Sequence, residues 1–252
     1  EALPAGAVLV VGSAQSGCQI AEELYKTGRK TYLAVGKSGR VPRRYRNRDI
    51  TYWLDKVGIM DLPAAKLPSP QARFGGSFQG TGKDGGHTIN LHQFARDGVT
   101  LLGHIENARE FLITIAPDLQ DNLAKADQFE ADLVRQIDAY INKNGLDFPS
   151  ETLPELRDGF ETQDIQELDL HEAGINTIIW ATGYSFDFSF VKQPVFDDFG
   201  YPVQKRGLTE QPGLYFVGLP FLHTAKSGTL FGVGGDAAYV AEHIGSRMPQ
   251  AR

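Results

Sequence analysis

The feature that most constrains the fold is an apolar stretch followed at once by a glycine-rich turn. Residues 8–11 (VLVV) are entirely apolar, as expected of a buried parallel strand. The turn GSAQSG follows directly, and a helical pattern over residues 16–27 has Ile20, Ala21 and Leu24 on one face. A second apolar strand is predicted over residues 31–35. This order of strand, turn, helix and strand predicts an α/β fold with a central parallel sheet.

The turn has the glycine pattern of a dinucleotide-binding loop, with alanine at the second glycine position. Gly12 allows the tight turn, Ala14 lets a pyrophosphate approach the backbone, and Gly17 lets the helix pack close to the strand. Unpaired N–H groups at the helix N-terminus attract phosphate. The predicted pyrophosphate-binding residues are Gly12, Ser13, Ala14, Gln15, Ser16 and Gly17. The alternative is a tight turn that binds no ligand.

The residues after the second strand predict NADPH as the coenzyme in preference to NADH. An NAD site usually has an acidic residue there, which bonds the ribose 2′-hydroxyl. Here the chain reads VGKSGR, and residues 29–48 contain eight basic residues and no acidic one. The predicted 2′-phosphate ligands are Lys37, Ser38 and Arg40, with Arg43 and Arg44 as weaker candidates. The alternative for this basic run is a solvated face.

Further elements are predicted from apolar periodicity and turn residues. Strands are expected over residues 99–102, 111–115, 176–181 and 213–217, and a turn over 197–201. A long helix is expected over about 118–144 and another over 229–244. Residues 63–86 and the acidic stretch after 145 are predicted to be loops.

Composition excludes several classes of protein. Cys18 is the only cysteine, which rules out an intrachain disulfide, a cysteine-rich zinc site and a CxxC redox pair. That usage fits a reducing cytosol, so a cytoplasmic location is expected. No apolar run is long enough for a transmembrane helix, and the first residues lack signal-peptide features. The net charge of −6 argues against a nucleic-acid-binding protein, and the six histidines show no metal-ligand spacing.

Four segments, taken together and in order, resemble the flavin-containing monooxygenases: VLVVGSAQSGCQIAEEL, RVPRRYRNRD, IIWATGY and GLYFVGLPFLHTAKSGTLFGVGGDAAYVAEHI. The resemblance covers residues 8–244. It implies a Rossmann-like NADPH-binding domain over residues 1–183 and the C-terminal part of a discontinuous FAD-binding domain over 184–252. The family's first glycine motif and its FxGxxxHxxx(F/Y) stretch are absent. The chain is therefore expected to be a C-terminal fragment whose N-terminal FAD-binding segment is missing.

The resemblance also implies cofactor contacts beyond the first turn. Thr182 and Gly183 lie in the segment that returns towards the FAD domain. Gly218 would end the strand that faces the flavin, and Leu230 to Gly232 would begin a helix aimed at the isoalloxazine ring. The alternatives are a plain strand end and a helix cap without a ligand. His223, in a loop near the implied flavin site, is either an ordinary loop residue or a group worth testing.

The activity implied by the resemblance is oxygenation of a soft nucleophile, such as an amine or a sulfide, by O₂ with NADPH and FAD as cofactors. No catalytic side chain is assigned, because the flavin carries the chemistry. The chain alone is expected to be inactive as an oxygenase. Two alternatives remain: a flavin reductase that passes electrons to another acceptor, and a non-enzymatic NADP(H)-binding module. Exposed apolar surface is also expected to permit a homo-oligomer.

Overall fold

A computed structural model describes residues 3–75 and 78–247 of the chain. Residues 1, 2, 76 and 77 of the predicted NADPH domain and 248–252 of the predicted FAD segment lie outside the described residues. The chain forms two compact units. The first comprises Glu1–Trp53 and Gly76–Gly183, and the second Leu54–Gly75 and Tyr184–Arg252. Over the described residues, no helix combines the length and apolarity needed to cross a bilayer.

The regular elements follow one another along the chain as nine strands and five α-helices over the described residues. The strands are β1 (Ala7–Val11), β2 (Thr31–Ala34), β3 (Arg44–Tyr45), β4 (Arg48–Asp49), β5 (Thr100–Leu102), β6 (Ile105–Arg109), β7 (Leu112–Ile115), β8 (Glu167–Asp169) and β9 (Ile175–Trp180). The α-helices are α1 (Gln15–Lys26), α2 (Ile50–Lys56), α3 (Leu91–Arg96), α4 (Leu119–Lys143) and α5 (Val233–Arg247).

The first unit is built on a four-stranded parallel sheet in the order β5-β2-β1-β9. Strand β1 lies in the interior, and its Val10 pairs with Leu33 on one side and Ile179 on the other. Strands β1 and β2 are buried along their whole length, which explains why they contain almost no polar residue. The predicted α/β class with a central parallel sheet is confirmed, and the sheet is consistent with a Rossmann-like fold.

Alternate side chains of the sheet face two different layers. Val8, Val10 and Leu33 belong to a core shared with α1, α3 and the first turns of α4. Leu9 and Tyr32 belong to a second core on the opposite face, which is covered by the antiparallel strands β6, β7 and β8. Each large apolar side chain buried in this way contributes about 2 kcal/mol of transfer free energy.

The long helix α4 confirms the helix expected over residues 118–144. Asp118 precedes it and Asn144 follows it. Its buried residues recur at three- and four-residue spacing and include Leu119, Leu123 and Leu133. The helix therefore packs one face against the sheet and leaves a polar face for other contacts.

The second unit differs from the sequence expectation in two places. The strand predicted over residues 213–217 is wrong, because Tyr215 forms a single bridge with Leu208 and no longer ladder appears among the described residues. The helix predicted from Thr229 begins only at Val233, after a turn in which the Gly232 N–H donates to the Thr229 carbonyl.

Candidate functional site

The candidate site lies at the carboxyl ends of the parallel strands. The chain runs from β1 to β2 and β5 on one side of β1 and later places β9 on the other side. This makes a topological switch point at β1, where open α/β sheets bind ligands. The structure places the turn over residues 12–17 after β1, Lys37 and Ser38 after β2, and Thr182 and Gly183 after β9.

The turn after β1 is closed around two glycines. Gly12 has a φ of +106°, and a Cβ there would lie 2.5 Å from the carbonyl oxygen of Ala181. A Cβ on Gly17 would lie 1.8 Å from the carbonyl oxygen of Gly12. The first turn of α1 is therefore packed directly on the backbone of the glycine turn, as the sequence pattern requires.

No side chain among the described residues caps the N-terminus of α1. Ala14 occupies the N-cap position, and the first turn contains no acidic residue. The first N–H groups of the helix have no intrahelical acceptor, so this end has a partial positive charge. Gln15 and Ser16 are exposed there. The end of α1 can thus accept an anion without displacing a protein group.

Ser13 ties this turn to the end of β2. Its side chain is buried, and its Oγ accepts a hydrogen bond of 3.0 Å from the Gly36 N–H. The Cys18 thiol donates to the Ser13 carbonyl over 3.1 Å. Burial raises the pKa of the Cys18 thiol, and the Glu22 charge raises it further, so the thiol stays protonated. The bond between Ser13 and Gly36 therefore fixes the two loops of the candidate site relative to each other, and the Cys18 bond holds Ser13 to α1.

The predicted 2′-phosphate ligands have different environments. Lys37 is exposed, and no described carboxylate lies within ion-pair distance of it. Ser38 is half-buried. Arg40 is buried and makes ion pairs with Asp127 at 2.6 Å and Glu130 at 2.7 Å. Lys37 is thus the exposed cation of this loop.

Other members of the basic run have internal partners. Arg43 pairs with Asp49 at 2.8 Å, and Arg44 donates to the Gly85 carbonyl over 3.1 Å. Arg46 pairs with Asp138 of α4 at 2.8 Å. Much of the positive charge seen in the sequence is therefore compensated within the first unit.

The end of β9 borders the glycine turn. A Cβ on Gly12 would lie 3.5 Å from the Thr182 nitrogen, which shows how close the two segments run. Thr182 and Gly183 are both exposed, and Gly183 has a φ of +90°. Trp180, the last residue of the edge strand β9, is 65% exposed.

In the second unit, the predicted residues lie around the start of α5. Gly218 has a φ of +82°, and a Cβ there would lie 3.8 Å from Cγ2 of Val233, the first residue of the helix. A Cβ on Gly232 would lie 2.3 Å from the Lys226 carbonyl oxygen, so this turn is tightly packed. Leu230 is fully exposed. Leu230 and Gly232 lie in the turn before α5, since the helix begins one residue later.

His223 belongs to a small polar cluster in the second unit. Its Nδ1 lies 3.6 Å from Oδ1 of Asp236, a buried residue of α5. Asp236 also accepts a hydrogen bond of 2.6 Å from Ser227 Oγ and pairs with Arg206 at 3.1 Å. Ser227 Oγ in turn accepts the backbone N–H groups of residues 223 and 224. The cluster holds the turn before α5.

Sequence reasoning missed the residues that support the loop after β2. Asn122 Nδ2 donates to the Val35 carbonyl over 3.1 Å, and the Gln79 N–H donates to the Gly39 carbonyl over 2.9 Å. Asp127 and Glu130 hold Arg40. The sequence shows the three-residue spacing of Asp127 and Glu130 within a predicted helix, but it does not show that both contact Arg40.

Comparison with known proteins gives relatives whose names describe a class of enzyme. No protein-family model matches the chain. The chain is 27% identical, over 96% of its length and 53% of the relative, to an uncharacterized oxidoreductase, CzcO-like, of Geobacillus kaustophilus (strain HTA426). It is 29% identical to the uncharacterized oxidoreductases CzcO of Bacillus velezensis (strain DSM 23117 / BGSC 10A6 / LMG 26770 / FZB42) and Bacillus subtilis (strain 168). Those matches cover 96% and 95% of this chain and 54% and 53% of the relatives. The chain therefore spans about half the length of the curated relatives it matches.

Proposed function

We propose that the chain is the NADPH-binding portion of a flavin-dependent monooxygenase, which uses NADPH and O₂ to oxygenate a soft nucleophile such as an amine or a sulfide. The observation that carries the proposal is the uncapped N-terminus of α1, packed on Gly12 at the switch point of the sheet beside the exposed Lys37. The oxidoreductase names of the relatives support the broad class. The resemblance of the four segments supports the narrower one.

The residues after β1 and β2 fit NADPH. A side chain at Gly12 or Gly17 would collide with backbone, so the turn keeps its N–H groups accessible to a pyrophosphate. The N–H groups of Gln15 and Ser16 would donate to phosphate oxygens. Lys37 would neutralise the 2′-phosphate, and the Ser38 hydroxyl would donate to it. A bond of this kind to a charged group stabilises binding by about 1.5–3 kcal/mol.

The second unit fits a supporting role towards FAD. Bound FAD would take electrons from NADPH and deliver them to O₂. The N-terminus of α5, with Gly218, Leu230 and Gly232 around it, would place the positive end of a 15-residue helix near the flavin. The hydrogen bonds of Ser227 and Asp236 would hold that turn in place. No side chain of the chain is assigned a proton transfer.

We propose that an N-terminal FAD-binding segment is the partner of this chain. Each unit exposes large apolar side chains: Ile178 and Trp180 in the first, and Tyr184, Leu230 and Phe231 in the second. Apolar surface of this kind marks interaction sites. The relatives are about twice as long as the chain, which supplies the length for such a segment. A second copy of the chain is the alternative occupant, and light scattering of the purified chain would reveal it as a dimer.

The nucleotide part of the proposal is tested by calorimetric titration of the chain with NADP⁺ and NAD⁺. We expect NADP⁺ to bind more tightly, and Lys37→Glu to weaken NADP⁺ binding by about 10- to 100-fold. The effect on NAD⁺ should be small. Lys30→Glu is the matched control, because Lys30 carries the same charge at the opposite end of β2. Absence of NADP⁺ binding, or equal losses for both nucleotides with Lys37→Glu, would refute the assignment.

The reaction is tested on the longest protein that the gene encodes. Substrate-dependent NADPH oxidation that yields a sulfoxide or an N-oxide supports the monooxygenase. NADPH oxidation that requires an artificial electron acceptor and gives no oxygenated product would instead identify a flavin reductase. A colourless preparation that binds NADP⁺ would identify a non-enzymatic module.

A further inference from the structure

The environment of Arg40 is unusual for a residue expected to bind phosphate. Only 8% of its side chain is exposed. Nη1 lies 2.6 Å from Asp127 Oδ1, and Nη2 lies 2.7 Å from Glu130 Oε2. The two terminal nitrogens of the guanidinium are thus used by two carboxylates on one face of α4. The third nitrogen, Nε, has no hydrogen-bond partner among the described residues but is itself buried, so a phosphate could reach the guanidinium only by opening the cluster.

The charge around Arg40 also opposes a direct contact with phosphate. One cation faces two carboxylates, which leaves a net negative charge. His92 lies on the other side of Asp127, with its Nε2 3.2 Å from Asp127 Oδ2, while its Nδ1 accepts a 3.0 Å bond from the Gly159 N–H. Burial works to raise the pKa of Asp127, but His92 and Arg40 outweigh it and lower that pKa, so the carboxyl stays ionised. A 2′-phosphate placed against this cluster would be repelled.

Helix α4 instead contacts the loop after β2 both before and after Lys37 and Ser38. Asn122 bonds the Val35 carbonyl before them. After them, Gly39 is so close to the Phe129 ring that a Cβ would lie 2.9 Å from ring atoms. Lys37 and Ser38 lie between these two fixed points. The loop therefore has anchored ends and presents its central residues.

We propose that Arg40, Asp127 and Glu130 form a clamp that sets the shape of this loop, so that Arg40 positions Lys37 and Ser38 for the 2′-phosphate without touching it. This inference rests on the proposed NADPH-binding function. If the clamp acts in this way, two acidic residues, Asp127 and Glu130, contribute to the preference for NADP⁺ over NAD⁺, although NADP⁺ carries the extra negative charge.

Direct contact and positioning predict opposite signs for one experiment. If Arg40 bound the phosphate, neutralising its carboxylate partners would release its charge and tighten NADP⁺ binding. If Arg40 positions the loop, the same change loosens the loop and weakens NADP⁺ binding. Arg40→Lys separates the two roles again, since an ammonium keeps the charge but cannot span two carboxylates as the planar guanidinium does.

The experiment is calorimetric titration of the 252-residue chain with NADP⁺ and NAD⁺. We expect Asp127→Asn combined with Glu130→Gln to weaken NADP⁺ binding about tenfold and NAD⁺ binding about twofold or less, and Arg40→Lys to do the same. Asp121→Asn is the matched control, because it removes one exposed carboxylate from the same helix. Tighter or unchanged NADP⁺ binding in the double variant overturns the clamp.

Two further results keep the outcome unambiguous. Arg40→Met combined with Glu130→Met removes a buried pair together, which costs less stability than breaking it. A melting curve checks that this variant folds, and it should show the same selective loss of NADP⁺ affinity. If it binds NADP⁺ as wild type does, the clamp is refuted. If the wild-type chain binds neither nucleotide, the proposed function fails, and the clamp fails with it.

Discussion

Replacing Gly17 by alanine tests the closeness of α1 to the glycine turn. The added Cβ would lie 1.8 Å from the Gly12 carbonyl oxygen and 2.8 Å from its carbon, both backbone atoms that no rotamer change can move. The oxygen would have to retreat by over an ångström. Overpacking typically costs about 1–3 kcal/mol, and an overlap this deep with backbone atoms lies at the upper end, about 3 kcal/mol. Alanine is a better helix former than glycine by about 1 kcal/mol, which offsets part of this cost, so the expected loss of stability is about 2 kcal/mol.

Tryptophan fluorescence is a suitable assay, because both tryptophans, Trp53 and Trp180, lie in the first unit. A loss of 2 kcal/mol should lower Tm by about 4–8 °C in a protein of this size. The matched control is Gly82→Ala, in the same unit, where the φ is −100° and a Cβ would meet nothing within 4 Å. That variant should keep or slightly raise Tm. A Gly17→Ala variant that melts at or above the wild-type temperature would refute the close packing.

Two other predictions concern α1. The Cys18 thiol, buried and with a raised pKa, should react with a maleimide only after denaturant is added, and fast labelling of the native protein would contradict its placement. Burial works to raise the pKa of Glu22, but hydrogen bonds from Lys26 and His87 outweigh burial and lower this pKa overall. The ionised Glu22 therefore stabilises the folded protein fully above the unfolded pKa of about 4.5, and this contribution is lost as the pH falls through the lower folded pKa. Glu22→Gln should therefore cost about 1–2 kcal/mol in urea unfolding at neutral pH and almost nothing in acid. Glu23→Gln, which alters an exposed carboxylate of the same helix, should cost little at either pH, and a Glu22→Gln loss that persists unchanged in acid would contradict the assignment.

The elements that the sequence predicted well are those specified by local pattern. Strands β1 and β2 are short and almost entirely apolar, and both the periodicity of α4 and its flanking residues can be seen in the sequence. The hairpin of β3 and β4 was missed because its strands are two residues long and its turn uses Arg46 and Asn47 at φ of +48° and +59°. Such turns are usually recognised by Asn-Gly or Asp-Gly. The strand expected at 213–217 failed because an apolar run cannot show whether a pairing partner exists.

The candidate site also combines residues whose roles follow from local sequence with residues whose roles depend on distant parts of the chain. The roles of Gly12 and Gly17 are local, so the pattern alone indicated the packing that the structure describes. The roles of the cations are not local. Lys37 and Arg40 are equivalent in the sequence, but only Arg40 meets carboxylates, and these lie about ninety residues later in the chain. Which basic residue remains exposed is decided by the position of α4.

Helix α4 is about 37 Å long and is a single rod without a break. Its apolar face is part of the core of the sheet through Leu119 and Leu123, and its polar face holds Arg40. A nucleotide that orders the loop would therefore also damp the opening motions of this rod. Amide hydrogen exchange would slow along several turns of α4, including turns that no ligand atom reaches. Ligand contacts mapped from exchange alone would therefore include more residues than the nucleotide touches.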